Sequence, residues 1–222
     1  GELFSQKGLV NRFLQNRLTR LVLNKVGKIV VLNDETVLYL SKHQSRLLKL
    51  PCGTDVQYFQ RSESFEESTK IRIGFPGDKK RNEKNFTLFT KIVEQLSLTN
   101  DIEIVEFHNM SRKQVLQNLN TIDLLLMTST VEGSPQIIKE AMACNTPIVS
   151  TSVGDVDDLL KGVVNCFVID SFETSSFITP VQMIIDLPRA KRVSNGRKKL
   201  VEMELDSESV AKKLQSLYQE TV

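Results

Sequence analysis

The sequence predicts an α/β protein built on a doubly wound, Rossmann-like parallel sheet with a helical C-terminus. From residue 70 onward, short apolar runs alternate with stretches of helical periodicity, which is the pattern of strands joined by crossover helices. Beyond residue 170 the periodicity is helical. We expect strands at 71–76, 102–107, 122–128, 147–151 and 165–169, separated by helices at 84–97, 111–119, 135–144 and 155–161.

The composition fits a protein with a substantial core and gives no case for a nucleic-acid partner. Of the 222 residues 40% are hydrophobic, and the net charge of +2 comes from 29 basic and 27 acidic residues that are largely interspersed. The three cysteines, Cys52, Cys144 and Cys166, are widely spaced, which indicates reduced thiols in a cytoplasmic protein rather than disulfides or a metal cluster. No apolar run reaches the roughly 20 residues of a membrane span.

The first 28 residues form a basic segment with helical periodicity. One helical stripe is apolar and consists of Val10, Leu14, Leu18 and Leu21. A basic amphipathic helix can associate peripherally with an anionic membrane, but apolar residues also lie outside this stripe. We therefore favour packing against protein. An apolar strand at 28–33 and a helix after Asp34 are expected next.

The segment 71–86 is interpreted as a strand, a basic loop that contains glycine, and the start of a helix. The helix has an apolar stripe that consists of Phe86, Phe89, Val93 and Leu96. Because ligands of open α/β sheets bind at the carboxyl ends of the strands, the lysines and arginines of this loop are well placed to bind phosphate. The alternative is a solvated basic loop without a ligand.

Two patterns define the next elements. Residues 101–107 alternate acidic and apolar side chains, as an exposed edge strand does. Ser111 and Gln114 form a capping-box pattern that opens the following helix.

A turn between the run 122–128 and the next helix carries two carboxylates. Ser134 is a favourable N-cap and Pro135 suits the first helical position, so we expect the helix to begin there with unpaired backbone N–H groups that attract anions. Glu132 precedes this turn and Glu140 lies on the helix, so both can face one ligand. The alternative is a solvated helix face, but apolar neighbours of Glu140 indicate burial, and a buried carboxylate usually has a partner.

Other candidate sites are weaker. Asp155, Asp157 and Asp158 superficially match a D-x-D metal motif, but they follow a glycine at a helix start, where the helix dipole favours acids. We therefore expect no metal. His43 and His108 have no neighbouring residues in sequence that indicate nucleophilic catalysis.

The stretch that begins at Glu132 resembles the E-x7-E signature of the retaining glycosyltransferases of family 4, which have the GT-B fold. The similarity continues through residues 140–156. The resemblance implies that Glu140 holds the ribose hydroxyls of a donor nucleotide and that Glu132 lies beside the transferred sugar. It also implies that the intervening turn approaches sugar and phosphate, and this turn consists of Gly133, Ser134, Pro135 and Gln136.

The loop after the strand at 71–76 resembles the part of the family that binds the donor diphosphate. With Gly77 as the family glycine, Lys84 is in register for the family lysine, and both are implied to be donor-binding residues. The position of the family arginine is Asp78, which departs from the pattern. Arg81, or failing that Lys79, is the candidate for the missing charge.

A third similarity marks a domain boundary. Pro51, Gly53 and Asp55 resemble the link between the two GT-B domains. We therefore expect residues 1–50 to be the tail of the N-terminal acceptor domain with the linker, and residues 51–222 to be the donor-binding domain. The family domain usually has one more strand and helix before its glutamates, and the interval here is too short for both.

The resemblance implies a bacterial glycosyltransferase of polysaccharide biosynthesis. It would transfer a sugar from a nucleoside diphosphate to an acceptor hydroxyl with retention of configuration, without a cofactor or metal, and with Glu132, Lys84 and Arg81 as catalytic residues. The alternatives are a noncatalytic sugar-nucleotide binding module and a nucleotide-sugar epimerase.

The partners and the extent of the chain follow from the same resemblance. We expect a nucleotide sugar and a glycan or lipid-linked acceptor, a cytoplasmic location with peripheral association at the inner membrane face as an alternative, and a natural protein longer than these 222 residues. The isolated chain should bind donor and transfer little sugar. The strand at 28–33 should join the main sheet or pair with a second copy of the chain.

Overall fold

The computed structural model describes residues 9–62 and 69–220, with side chains from residue 17 onward. The strands are β1 (Ile29–Val31), β2 (Leu47–Lys49), β3 (Ile71–Phe75), β4 (Ile102–Glu106), β5 (Leu124–Met127), β6 (Ile148–Thr151) and β7 (Cys166–Ile169). The α-helices are α1 (Leu9–Lys25), α2 (Asp34–Tyr39), α3 (Phe86–Leu96), α4 (Arg112–Thr121), α5 (Gln136–Ala143), α6 (Val156–Leu160), α7 (Thr174–Ile185), α8 (Gly196–Glu202) and α9 (Ser207–Gln219).

The main sheet is parallel and doubly wound, as predicted. Its strand order is β4-β3-β5-β6-β7, so the chain begins in the interior of the sheet and winds outward in both directions. All five strands predicted from residue 70 onward are present with ends shifted by a few residues, and α7, α8 and α9 confirm the helical C-terminus. The order reverses between β3 and β5, which is where open α/β sheets bind ligands.

The burial of strand β5 on both faces explains why its sequence is an unbroken apolar run. Leu124 and Leu126 face one hydrophobic core together with Phe89 of α3, whereas Leu125 and Met127 face the opposite core. All four side chains of β5 are fully buried. A strand covered by helices on both faces has no solvent side, so the polar alternation of a surface strand is lost.

Strand β4 forms an edge of the sheet. Among the described strands it pairs with β3 alone, and Ile104 on it is 43% exposed. The prediction of an exposed edge strand is therefore confirmed. Only β4 and α4 separate α3 from β5 in the described chain, which agrees with the separate prediction that this interval is too short for a further strand and helix. The capping box is also confirmed, since Ser111 accepts from Gln114 N and the Gln114 side chain accepts from Ser111 N.

The segment before residue 50 forms a sheet of its own. Strand β1 pairs in parallel with β2, in the register Ile29 to Leu47. The prediction that the strand at 28–33 joins the main sheet is therefore wrong, because β1 pairs with β2 instead of with a strand of the main sheet. The run Leu47–Lys49 is too short for its periodicity to identify it as a strand. Pairing with a second copy and the boundary near residue 50 stay predictions.

Helix α1 precedes this small sheet. Leu23 packs against the cluster around Ile29 and Val31, whereas Leu18 and Leu21 are more than half exposed. Val10 and Leu14 of the predicted stripe lie outside the described side chains, as do residues 1–8 altogether. Within the described parts of the chain, every helix is too short or too polar to cross a membrane.

A buried ion-pair network closes the amino-terminal end of β5. Asp123 is 2% exposed and accepts from Arg192 Nη1 at 2.8 Å, while Arg189 Nε lies 3.2 Å from the same oxygen. Arg192 also donates to the carbonyls of Ile185 and Leu187. The network therefore ties the segment after α7 to the centre of the sheet.

Candidate functional site

Three loops meet at the carboxyl edge of the sheet. They follow β3, β5 and β6 and comprise residues 76–85, 128–135 and 152–155. Neighbouring parallel strands direct their following loops to the same edge, so residues far apart in sequence come together there.

The centre of this edge is an ion pair between two predicted site residues. Lys84 Nζ donates to Glu132 Oε1 at 2.6 Å, and the side chains are only 12% and 18% exposed. Ser129 Oγ donates to the same carboxylate oxygen at 2.9 Å. Because both ends are largely shielded from solvent, this contact is stronger than a surface pair and holds Lys84 in a defined position.

Gly77 lies directly under the Lys84 side chain. Its φ is +122°, and a Cβ placed on it would be 2.8 Å from Lys84 Cε. The backbone conformation therefore favours glycine, and a Cβ there would also displace the Lys84 side chain from its present path. The structure thus brings together Gly77, Lys84 and Glu132.

Hydrogen bonds join the loops that carry Lys84 and Glu132. Thr128 Oγ1 lies 3.1 Å from the carbonyl oxygens of both Lys84 and Asn85, and Thr130 N donates to Glu83 O at 2.8 Å. Asn85, in the left-handed region with φ of 48°, caps α3 by accepting from the backbone N–H of Leu88. These contacts fix the position of Lys84 relative to Glu132.

Arg81 stands at the rim of the site. Its guanidinium donates to Glu83 Oε1 at 2.5 Å and is 57% exposed. The hydrogen bond that Arg81 donates to Glu83 is the main reason that the pKa of Arg81 is raised, and the charge of Glu132 contributes to a smaller degree. Arg81 therefore interacts electrostatically with Glu132, but its ion pair is formed with Glu83. Its phosphate-binding role stays a prediction.

The other charged residues of this loop have partners elsewhere. Lys79 pairs with Glu106 at 3.4 Å. Asp78, at the position of the family arginine, accepts from Lys80 N and lies 3.9 Å from His108. Lys79 is thus directed toward β4.

The turn before α5 differs from the prediction in its capping. The N-cap is Pro135 and the helix begins at Gln136, so neither Ser134 as the N-cap nor Pro135 as the first helical residue is correct. Ser134 Oγ instead donates to Asp155 Oδ2 at 2.5 Å and accepts from Lys139 Nζ at 2.9 Å. The Ser134 hydroxyl bonds to the charged groups of Asp155 and Lys139 in preference to a backbone N–H of α5, because hydrogen bonds to charged groups are stronger. No side chain caps α5.

The side chain of Gln136 is directed to residues 53–54 rather than to the edge of the sheet. Its Nε2 donates to Gly53 O at 3.2 Å and to Thr54 Oγ1 at 2.8 Å. Thr54 in turn forms a bridge with Asp206 at the start of α9. The other polar atom of this side chain, Oε1, is buried and has no hydrogen-bond partner among the described residues.

Glu140 lies on α5, half-buried. Within the described residues its carboxylate forms neither a hydrogen bond nor an ion pair, so the partner that its burial implies stays a prediction for a bound ligand. Burial raises the pKa of Glu140 to about 7, although the charges of Arg112 and Lys139 act in the opposite direction. Its oxygens are therefore free to accept hydrogen bonds from a ligand.

The three acids of the D-x-D pattern have separate partners. Asp155 bonds to Ser134, Asp157 accepts from Ser152, and Asp158 lies 3.2 Å from Lys49. Asp157 and Asp158 occupy the first turn of α6, as the helix-start interpretation predicts. Across residues 9–62 and 69–220, no group of three potential metal ligands comes together.

Sequence reasoning missed Lys139 and Asn33. Lys139 is fully buried, and its Nζ donates to Cys52 O at 2.7 Å as well as to Ser134. Burial lowers the pKa of Lys139 and raises that of Asp155. Asn33 Nδ2 donates to Gly133 O at 2.7 Å. A lysine inside the apolar run around Glu140 was a usable signal for Lys139, whereas nothing in the sequence around Asn33 indicates its contact.

The fold and this edge site define the class of the protein, and comparisons with known proteins agree. Solved structures with the same arrangement are GT-B glycosyltransferases. Residues 62–203 match the sequence profile of the family described as glycosyl transferases group 1. Because this match covers more than half of the chain, the protein belongs to that family.

The chain is also similar to individual proteins and solved structures. It is 28% identical to the putative teichuronic acid biosynthesis glycosyltransferase TuaC of Bacillus subtilis, over 50% of this chain and 34% of that protein. Sucrose-phosphate synthase from Thermosynechococcus elongatus superposes with a TM-score of 0.74 at 15% identity, covering 99% of this chain and 65% of that one. Anabaena HepE in complex with UDP and glucose gives 0.72 at 14% identity, covering 90% and 65%. The chain therefore spans about a third of its curated relative and about two-thirds of these structures.

Proposed function

We propose that the protein is a glycosyltransferase that moves a sugar from a nucleoside diphosphate to an acceptor hydroxyl with retention of configuration. In this proposal the described chain supplies the donor-binding half. Family membership supports glycosyl transfer in general, and the bacterial relative named for teichuronic acid biosynthesis supports a role in polysaccharide formation.

One observation carries the assignment of the donor site. The Lys84–Glu132 ion pair lies over Gly77, and the turn that connects Glu132 to α5 lies beside it. A lysine ammonium next to a helix start without a side-chain cap suits a diphosphate, because both present hydrogen-bond donors and positive charge. Glu140, with unpaired oxygens on the same helix, is available for ribose hydroxyls.

The chemical role of the site follows from the charge that develops on the leaving diphosphate. Lys84 would stabilise that charge directly, with Arg81 adding a weaker, more solvated contribution from the rim. Glu132 would accept a hydrogen bond from the sugar and keep Lys84 in place. The reaction would proceed without a metal or cofactor, since the positive charge comes from side chains and helix amides.

The finer partners follow the same reasoning. Because HepE binds UDP and glucose, UDP is the first nucleotide to examine. A glycan or lipid-linked acceptor would bind mainly to residues outside this chain. Peripheral membrane association through the basic first helix and formation of a homodimer stay predictions.

Labelled nucleotide sugars mixed with candidate acceptors test the function. We expect the 222-residue chain to bind a nucleotide sugar and to transfer little or none of it, and a longer protein with an acceptor domain to transfer it with retention. Isomerisation of the donor by the chain would support the epimerase alternative. Binding without transfer by both proteins would support a noncatalytic module. Robust transfer by the short chain would contradict the division into halves.

A further inference from the structure

Lys139 is a buried cation that is not among the residues proposed to contact the donor. Its side chain is fully buried, and a buried ammonium is unfavourable unless its donors are satisfied. Nζ satisfies two of them with Cys52 O in the linker and Ser134 Oγ in the donor turn. The Lys139 side chain of α5 therefore joins the turn before α5 to the segment around Cys52.

The hydroxyl of Ser134 completes a chain of three groups. It accepts from Lys139 and donates its single proton to Asp155 Oδ2, on the loop after β6. Asp155 is 5% exposed, so the chain runs from one buried charge to the other through a neutral hydroxyl. Opposite charges at the two ends orient the hydroxyl, because each favours the same direction of its O–H bond.

We propose that Lys139 is a positioning residue, which fixes the turn from Gly133 to Gln136 in the conformation that binds the donor diphosphate, acting through Ser134 and Asp155. This inference rests on the proposed function and extends it to a residue that does not touch the ligand. Backbone amides bind phosphate well only when their directions are set before the ligand arrives.

Other contacts restrain the same turn and leave a defined task for Lys139. Asn33 holds the Gly133 carbonyl from outside, and Gly154 packs so closely that a Cβ there would lie 2.5 Å from that oxygen. Gln136 is held by the linker at Gly53 and Thr54. Ser134 lies between these restrained residues, and its side chain is held by Lys139 and Asp155.

Binding of nucleotides by calorimetry tests this role. The parent chain is first titrated with UDP and GDP, and the nucleotide that binds is then compared with its nucleoside at pH 8.5, where Glu140 is largely ionised. We expect Lys139→Met to weaken nucleoside diphosphate binding about tenfold, as loss of an outer positioning group typically does, and to change nucleoside binding far less. If this variant does not fold, the double variant Lys139→Met/Asp155→Asn removes both buried charges together and should show the same selective loss.

Arg192→Met is the matched control. It also takes a cation from a buried carboxylate, but at Asp123, at the opposite end of β5. We expect a lower Tm with parent-like affinity for the nucleotide. Parent-like nucleotide affinity in Lys139→Met, or equal loss of nucleotide and nucleoside, would overturn the positioning role and leave the proposed function intact. If the parent chain binds neither UDP nor GDP, the donor-site assignment and this inference both fail.

Discussion

Lys84 and Glu132 lie 48 residues apart in sequence and meet with 2.6 Å between Nζ and Oε1. The pair links the loop after β3 to the loop after β5, at the point where the strand order reverses. In the free protein the carboxylate holds the ammonium at the site. In the proposed complex a bound diphosphate would share that ammonium without a large movement of Lys84.

Replacing Lys84 should affect the diphosphate selectively. Lys84→Met removes the ammonium and keeps the apolar stem over Gly77. We expect the loss of about 1.5 to 3 kcal/mol in UDP binding, because a hydrogen bond to a charged group is lost, with little change for uridine. Calorimetry with both ligands measures this. Lys80→Met, in the same loop but exposed, is the control and should bind UDP like the parent.

Arg81 should contribute less than Lys84. Its side chain is 57% exposed and already paired with Glu83, so Arg81→Ala should weaken UDP binding by about 0.2 to 1 kcal/mol, the range of a solvated ion pair. A titration in low and high salt checks the origin of the effect, because the difference between parent and variant should shrink as salt screens it. A loss equal to that of Lys84→Met would instead make Arg81 the replacement for the family arginine.

The sequence was sufficient for the sheet, and insufficient where side chains choose among several partners. Gly77 and Lys84 were assigned by resemblance to the family pattern, and the structure brings them together with Glu132, although their roles stay predictions. Ser134 was assigned as an N-cap for local reasons. Its actual partners, Lys139 and Asp155, compete for the hydroxyl only in the folded protein, and no local rule states which contact prevails.

The same distinction explains the N-terminal segment. The apolar strand at 28–33 was recognisable from its composition, but its neighbour β2 has three residues and no periodicity to detect. Pairing between strands is a property of the tertiary fold. The prediction could therefore find one strand and still place it in the wrong sheet.

Glu140 should make the unliganded protein less stable as the pH rises. Burial raises the pKa of Glu140 from 4.5 to about 7, so between these values the folded state holds a proton that the unfolded state has lost. Its contribution to stability is then present below pH 4.5 and is lost as the pH rises to about 7. Glu140→Gln cannot ionise, so its Tm relative to that of the parent should increase across this range. Thermal unfolding from pH 4.5 to pH 8 tests this, and parallel curves for both proteins would contradict it.

The buried pair at Asp123 should matter far more for stability than exposed pairs do. Arg192→Met should lower the free energy of unfolding by about 2 to 3 kcal/mol, because the remaining Arg189 neutralises the 2% exposed carboxylate only in part. Denaturant unfolding measures this change. The control is Lys212→Met, whose partner Glu208 is 2.7 Å away but exposed, and its midpoint should match that of the parent.

Gly77→Ala should disrupt the site through Lys84 without removing any polar group. The new Cβ would lie 2.8 Å from Lys84 Cε, so the lysine side chain must move, and φ of +122° adds backbone strain. We expect UDP affinity to fall about tenfold, somewhat less than in Lys84→Met, because the ammonium is displaced rather than deleted. Gly162→Ala is the matched control, since Gly162 also has a positive φ, of +75°, but a Cβ there meets nothing within 4 Å. Gly162→Ala should lose about 1 kcal/mol of stability from its strained backbone and Gly77→Ala at least as much, and only Gly77→Ala should lose UDP affinity. Equal UDP affinities in the two variants would show that the path of Lys84 over Gly77 is not needed for nucleotide binding.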